Sequence, residues 1–267
     1  MLKKVTLFVF ISTLMFGLVS AATPDQIKAL QIAAERGNAD AQFNLGVIYE
    51  QGHGVSPDYT EAARWYHKAA TMGDSTAQFN LALMFQYGKG VSQSYHEAAK
   101  WYIKAAEQGK AKAQFNLGVM YEKGDGVEKN FEEAAKWYLK ASEKGNAKAS
   151  HNLACMCLDG RGVPKSDVEA LKLYRRAAEQ GLVQAQFACG VMNDKGKGVK
   201  QNFEEAKMWY QKAADQGHVE AQFILASMYE HGKGVPQNET EALKFYRLAA
   251  GQGEPKAQEA LKRLNKN

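Results

Sequence analysis

Cysteine and proline are scarce here, three and five residues in a chain of 267. Three thiols cannot frame a small disulfide-stapled domain, and so few prolines leave long stretches free to be helical. The six histidines, His53, His67, His96, His151, His218 and His231, stand far apart. No His-x-x-x-His or Cys-x-x-Cys pair exists, so the common zinc spacings are excluded, and no metal or other cofactor is expected. Charge of one sign is also missing. The formal net charge is +5, and acids and bases are interleaved without a basic stripe. A nucleic-acid partner would need such a stripe to neutralise phosphates, so none is expected.

Long apolar runs are confined to one place, Val5 to Val19, behind Lys3-Lys4 and ahead of Ser20, Ala21 and Ala22. That order of basic, apolar and small residues is the pattern of an export leader. Cleavage after Ala21 puts Val19 three places before the cut, and cleavage after Ala22 puts Ser20 there; both fit the small-residue rule. The run is shorter than the roughly 20 apolar residues that span a bilayer. No cysteine follows it, which argues against a lipid anchor. Residues 1–22 are therefore expected to be a signal peptide. The mature chain is expected to be periplasmic or secreted, without membrane insertion, and loss of Lys3 and Lys4 leaves it at +3.

Repetition dominates the remainder. Ala41-Gln42-Phe43 returns at Ala77, Ala113, Ala185 and Ala221, with the variant Ala149-Ser150-His151 between, always in steps of 36 residues. Within one copy, Ala41, Leu45, Ile48 and Tyr49 lie on one helix face. A Gly-x-Gly-Val follows, first as Gly52-His53-Gly54-Val55, and these glycines let a helix end and the chain reverse. Asp58, Ser94, Asn130, Ser166, Asn202 and Asn238 are N-caps for a second helix, each with a glutamate three residues on, a relative of the capping box. Ala62, Trp65, Tyr66 and Ala69 form its buried face. All four tryptophans, Trp65, Trp101, Trp137 and Trp209, fall in one column.

Helices this short are marginal alone in water, so each hairpin must bury its apolar face on its neighbours. The expected fold is all-α, a right-handed αα-superhelix of 36-residue helix-turn-helix repeats. Residues 23–37 form a half-repeat cap, with Thr23-Pro24-Asp25-Gln26 opening a lone helix over 26–36. Six repeats follow at 38–73, 74–109, 110–145, 146–181, 182–217 and 218–253, and 254–267 form a closing helix.

At these residues the chain resembles the Sel1-like repeat family, relatives of the tetratricopeptide repeats. The matching positions are Ala41…Leu45-Gly46…Tyr49…Gly52-x-Gly54-Val55, then Ala62…Trp65-Tyr66…Ala69-Ala70…Gly73. The resemblance implies an adaptor, scaffold or inhibitor that takes a protein or peptide partner as a monomeric solenoid. Exported bacterial members are associated with host interaction, envelope complexes and immunity partners of toxins. The resemblance also implies that first helices line a concave groove. That groove would carry Phe43, Phe79, Phe115, His151, Phe187 and Phe223, with Glu50, Tyr87, Glu122, Asp194 and Glu230 around them. The alternative is that these rings simply pack between hairpins. The basic clamp with which some relatives hold a peptide carboxylate is absent, because Phe occupies a key position.

Some relatives are described as β-lactamases, which makes a cell-wall or β-lactam hydrolase the competing reading. Serine enzymes of that class need Ser-x-x-Lys, and the chain contains none. It has no Gly-x-Ser-x-Gly and no phosphate-binding loop either, so an enzyme is not expected. Cys155, Cys157 and Cys189 fall on first helices of the fourth and fifth copies, the two that depart furthest from the pattern. Cys155 or Cys157 could pair with Cys189, or all three could be small core fillers. The Asn44, Asn80, Asn116 and Asn152 column is expected to be structural, bonding backbone across a hairpin junction.

Overall fold

A computed structural model describes residues 22–264, and among them it contains fourteen α-helices and no strand. Apart from Ala22, the expected signal peptide lies outside the described residues, as do the last three residues of the expected closing helix. The chain divides into two compact units, one ending at Lys140 and the other beginning at Ala141.

The first unit holds α1 (Pro24–Glu35), α2 (Ala39–Gln51), α3 (Tyr59–Thr71), α4 (Ser75–Tyr87), α5 (Tyr95–Glu107), α6 (Ala111–Lys123) and most of α7 (Phe131–Glu143). From α1 to α6, each helix packs on the next. First helices contribute Leu45, Ile48, Leu81, Met84, Leu117 and Met120 to the core, and second helices contribute Tyr66, Tyr102 and Tyr138. Between them lie alanines with no exposure, such as Ala62, Ala69, Ala98 and Ala105, which let the helices approach closely. The second unit repeats the plan with α8 (Ala147–Asp159), α9 (Asp167–Glu179), α10 (Val183–Lys195), α11 (Phe203–Asp215), α12 (Val219–His231), α13 (Glu239–Gly251) and the closing α14 (Pro255–Leu264). Its core joins Tyr210, Leu225, Met228, Phe245 and Tyr246 to buried alanines of α11 to α14.

Local chemistry sets the boundaries. The Asp58 carboxylate accepts the amides of Thr60 and Glu61 at 2.9 and 3.0 Å and so starts α3, a contribution of about 1 kcal/mol. The following glutamate does not reach back to the cap. Glu61 pairs forward with Arg64, Glu97 with Lys100 and Glu133 with Lys136, each at 2.6 Å. The reciprocal box is made at Thr23, whose amide donates to Gln26 Oε1 while its hydroxyl accepts from the Gln26 amide. With that cap, α1 begins at Pro24, two residues before the expected start.

Gly52 ends α2 in the left-handed region at φ 73°, where a side chain would be strained. The second glycine of a loop serves close approach, as at Gly90 and Gly126. A Cβ on Gly90 would lie 2.0 Å from the Tyr59 carbonyl oxygen, so only glycine lets the loop sit on the preceding second helix.

Junctions between hairpins are tied by glutamine. Gln42 Nε2 donates to the Ala34 carbonyl at 2.9 Å, and Gln78 and Gln114 repeat this on Ala70 and Ala106, both at 3.0 Å. In the second unit Gln186 and Gln222 do the same on Ala178 and Ala214. The fourth copy has Ser150 instead, and there Ser142 replaces an alanine. Their hydroxyls meet at 2.6 Å, so the junction stays polar and satisfied.

Candidate protein-binding face

The first-helix face is built of rungs. In the first unit Phe43, Phe79 and Phe115 lie tilted against Tyr66, Tyr102 and Tyr138 of the following helices, with centroids 5.8, 5.8 and 5.9 Å apart. Beneath Tyr66 is Gly46, where a Cβ would come within 2.5 Å of the ring; Gly118 lies likewise beneath Tyr138, at 2.6 Å. Glycine in that column makes room for the tyrosine, and the tyrosine carries the phenylalanine. Each hydroxyl then finds an acceptor sixteen residues earlier: Tyr66 donates to Glu50 at 2.7 Å, Tyr102 to Gln86 at 2.6 Å and Tyr138 to Glu122 at 2.7 Å. Asn116 Nδ2 donates to the Tyr102 hydroxyl at 2.9 Å. Asn116 and, through Tyr66, Asn80 therefore tie one rung to the next, while the backbone bond across the junction is made by the neighbouring glutamines.

The second unit carries the same rungs with more variation. Phe187 packs on Tyr210 and Phe223 on Tyr246, both at 5.8 Å, and His151 takes the phenylalanine position against Tyr174 at 5.3 Å. Tyr246 donates to Glu230 at 2.6 Å, and Arg263 of α14 closes on the same carboxylate. Asp194 instead accepts Lys233 at 2.6 Å. Burial holds the hydroxyls of Tyr66, Tyr102, Tyr174, Tyr210 and Tyr246 well above the ordinary tyrosine range, and the adjacent carboxylates reinforce this at Tyr66, Tyr210 and Tyr246. Burial also lowers the pKa of His151, so its ring favours the neutral form.

The residues expected to line the face are thus brought into rungs, but most are engaged. Phe43, Phe79, Phe115, His151, Phe187 and Phe223 are half-buried, as are Glu50, Glu122, Asp194 and Glu230. Tyr87 differs, with 63 % of its surface exposed. The buried tyrosine column, which fixes every rung, was not among the expected site residues. Its signal in the sequence is the invariant Tyr beside the tryptophan column.

All three cysteines are free, so neither possible pairing with Cys189 is formed, and the alternative of small core fillers stands. Cys157 and Cys189 are buried, and burial pushes the Cys189 thiol up to about 12. Half-buried Cys155 is held 3.2 Å from the Tyr174 hydroxyl. These contacts are those of core and rung residues. Among the described residues there is no cluster of three or more metal-ligating side chains, and no helix is long and apolar enough to cross a membrane.

Comparison with known proteins matches this architecture. A family model for the Sel1 repeat matches residues 39–74, 75–110, 111–146, 147–182, 183–218 and 219–254, each one residue later than the spans read from the sequence. A protective antigen present in uropathogenic Escherichia coli strains, with an SLR fold, is similar at 38% identity and a TM-score of 0.82. That match covers 87% of this chain and 50% of the antigen, so the chain spans half the length of that relative. A Sel1 repeat protein from Oxalobacter formigenes is 34% identical with a TM-score of 0.67, over 85% of this chain and 87% of that one. The C-terminal part of a TPR repeat-containing protein from Cytophaga hutchinsonii shares the fold, at 16% identity and a TM-score of 0.53 over 89% and 93% of the two chains. No curated protein matches the sequence.

Proposed function

The chain belongs to the Sel1 repeat family, and from that premise we propose that it is an exported, monomeric adaptor or inhibitor that takes a protein or peptide partner on its first-helix face. Proteins of this family are generally protein-interaction modules, and the fold is typically non-catalytic. The observation that carries the reading is Tyr87. It stands exposed at the end of α4, next in the chain to Gln86, which accepts the Tyr102 hydroxyl, with Lys123 exposed at the corresponding place on α6. An exposed aromatic on a face of polar and charged residues is the kind of anchor protein interfaces use.

Support for export comes from the Lys3-Lys4, Val5 to Val19, Ser20-Ala21-Ala22 pattern.

The test is capture from envelope and secreted fractions with the wild-type chain and with Tyr87→Asp. Tyr87 is exposed, so its replacement leaves the helices intact by circular dichroism. Loss of one partner, with affinity falling at least tenfold, is expected from the removal of a buried interface aromatic worth roughly 2 kcal/mol. A partner held equally by both proteins would move the site to the second-helix face.

A further inference from the structure

We infer that His151 and Cys155 form a binding site for one soft monovalent metal ion, copper(I), held between an imidazole nitrogen and a thiolate. The site lies wholly within the second unit and does not depend on the partner proposed above.

The fourth rung is built differently from the rest. Its ring position carries His151 where the other copies carry Phe43, Phe79, Phe115, Phe187 and Phe223. Four residues on, Cys155 stands at the phase of Val47, Leu83, Val119 and Val191. Residues four apart share one face of a helix, and α8 brings Cys155 Sγ to 3.9 Å from His151 Nε2. The tyrosine of this rung has also lost its usual partners. Leu158 replaces the acid or amide that accepts from Tyr66, Tyr102 and Tyr138. Ala188 replaces the asparagine that serves Tyr66 and Tyr102. The Tyr174 hydroxyl lies instead 3.2 Å from Cys155 Sγ.

This arrangement fits a soft ion that needs few ligands. Bonds of about 2.3 Å to sulfur and 2.0 Å to nitrogen would bridge the 3.9 Å gap with an angle of about 130° at the metal. That is wider than the tetrahedral angle of zinc. Among the described residues no third histidine, cysteine or carboxylate completes a set of three. A thiolate with an imidazole selects Cu(I) over harder divalent ions when ligands are so few. His151 is ready to ligate. Burial favours its neutral ring, and its buried Nδ1 has no partner, so no protein bond holds the ring to another tautomer. Both side chains are half-buried, which leaves them within reach of an ion. On binding, the thiol proton leaves to solvent, a sulfur lone pair bonds the ion, and the copper keeps its oxidation state. The Tyr174 hydroxyl then donates to the coordinated sulfur, a charge-assisted bond that orients the ligand.

The test titrates the reduced full chain with Cu(I), supplied as its acetonitrile complex without oxygen, against the chelator bicinchoninate. The wild type is expected to hold one copper per chain, with one sulfur and one nitrogen donor by X-ray absorption. His151→Phe and Cys155→Val each install the residue found at that phase in other copies, so both should keep the helical circular dichroism. Losing a direct ligand costs at least as much as losing the group that orients it, so each should weaken copper binding tenfold or more. Unchanged affinity in either variant would overturn the site. So would a wild-type spectrum with sulfur donors alone, which would move the ion to the other thiols. Tighter binding of Zn(II) than of Cu(I) would overturn the choice of ion.

Discussion

At the scale of single residues, the glutamine junctions show how much a buried polar atom depends on a partner far away in sequence. Gln78 is satisfied on both sides: its Nε2 donates to Ala70, and its Oε1 accepts Gln108 Nε2 at 2.8 Å. Gln42 makes the first bond only, and its buried Oε1 has no partner. The difference lies one repeat back from Gln108, where Met72 stands in the same phase with 56 % of its surface exposed. An unsatisfied buried acceptor costs on the order of 1–3 kcal/mol, and an exposed methionine contributes little packing. Met72→Gln should therefore stabilise the first unit by about 1 kcal/mol, read as a higher midpoint in urea unfolding. The converse change, Gln108→Met, should lower the midpoint by a similar amount. Equal midpoints for Met72→Gln and the wild type would show that the Gln42 oxygen is satisfied in another way.

At the scale of the helices, the sequence was informative where the signal is local. The glycine that ends α2, the caps at Asp58, Ser94 and Asn130, and the alternation of two amphipathic helices in each 36-residue step all lie within a few residues of the feature they specify. The rungs were less legible. The bond from Tyr66 to Glu50 joins two helices, and neither helix alone shows that a buried hydroxyl will need an acceptor sixteen residues back. The phenylalanines lie on the first helices, and their half-burial depends on a tyrosine ring that only a glycine or alanine beneath it allows. Caps also reveal uneven helices. The side chains of Asn38, Asp74 and Asn146 accept an amide at the starts of α2, α4 and α8, while Lys110 at the start of α6 makes no such bond. Lys110→Asp should supply the missing acceptor to the Ala113 amide and replace a base with an acid at a helix N-terminus. The lost Lys110–Thr76 bond at 2.7 Å is a partial offset. The net gain should be about 1 kcal/mol, visible as a raised urea midpoint. A lowered midpoint would mean that the lysine bond outweighs the cap.

At the scale of the whole molecule, the tyrosine column recurs in both units and makes the folded chain sensitive to alkali. In a stacked repeat array each hairpin is stabilised by its neighbours, so a defect in one rung weakens the rungs beside it. Tyr66, Tyr102, Tyr174, Tyr210 and Tyr246 all hold their protons more tightly in the fold than the ordinary value of 10.0, with burial as the largest cause. Below that pH both folded and unfolded chains keep these protons, and the stability is fully present. Above it the unfolded chain releases protons that the folded chain retains, so stability falls as pH rises. The carboxylates of Glu50 and Glu230 sharpen the effect, because a tyrosinate formed beside them would add a second negative charge to a half-buried site. Helical circular dichroism should therefore collapse as pH is raised beyond about 10, and the last portion of the tyrosinate absorbance should rise in the same transition. Replacing Tyr246 with phenylalanine removes one of the linked protons and should make the loss of stability with pH less steep. Complete tyrosinate formation in a chain that keeps its full helical signal would show that these hydroxyls can ionise within the fold. The rungs would then tolerate a charge that their burial opposes.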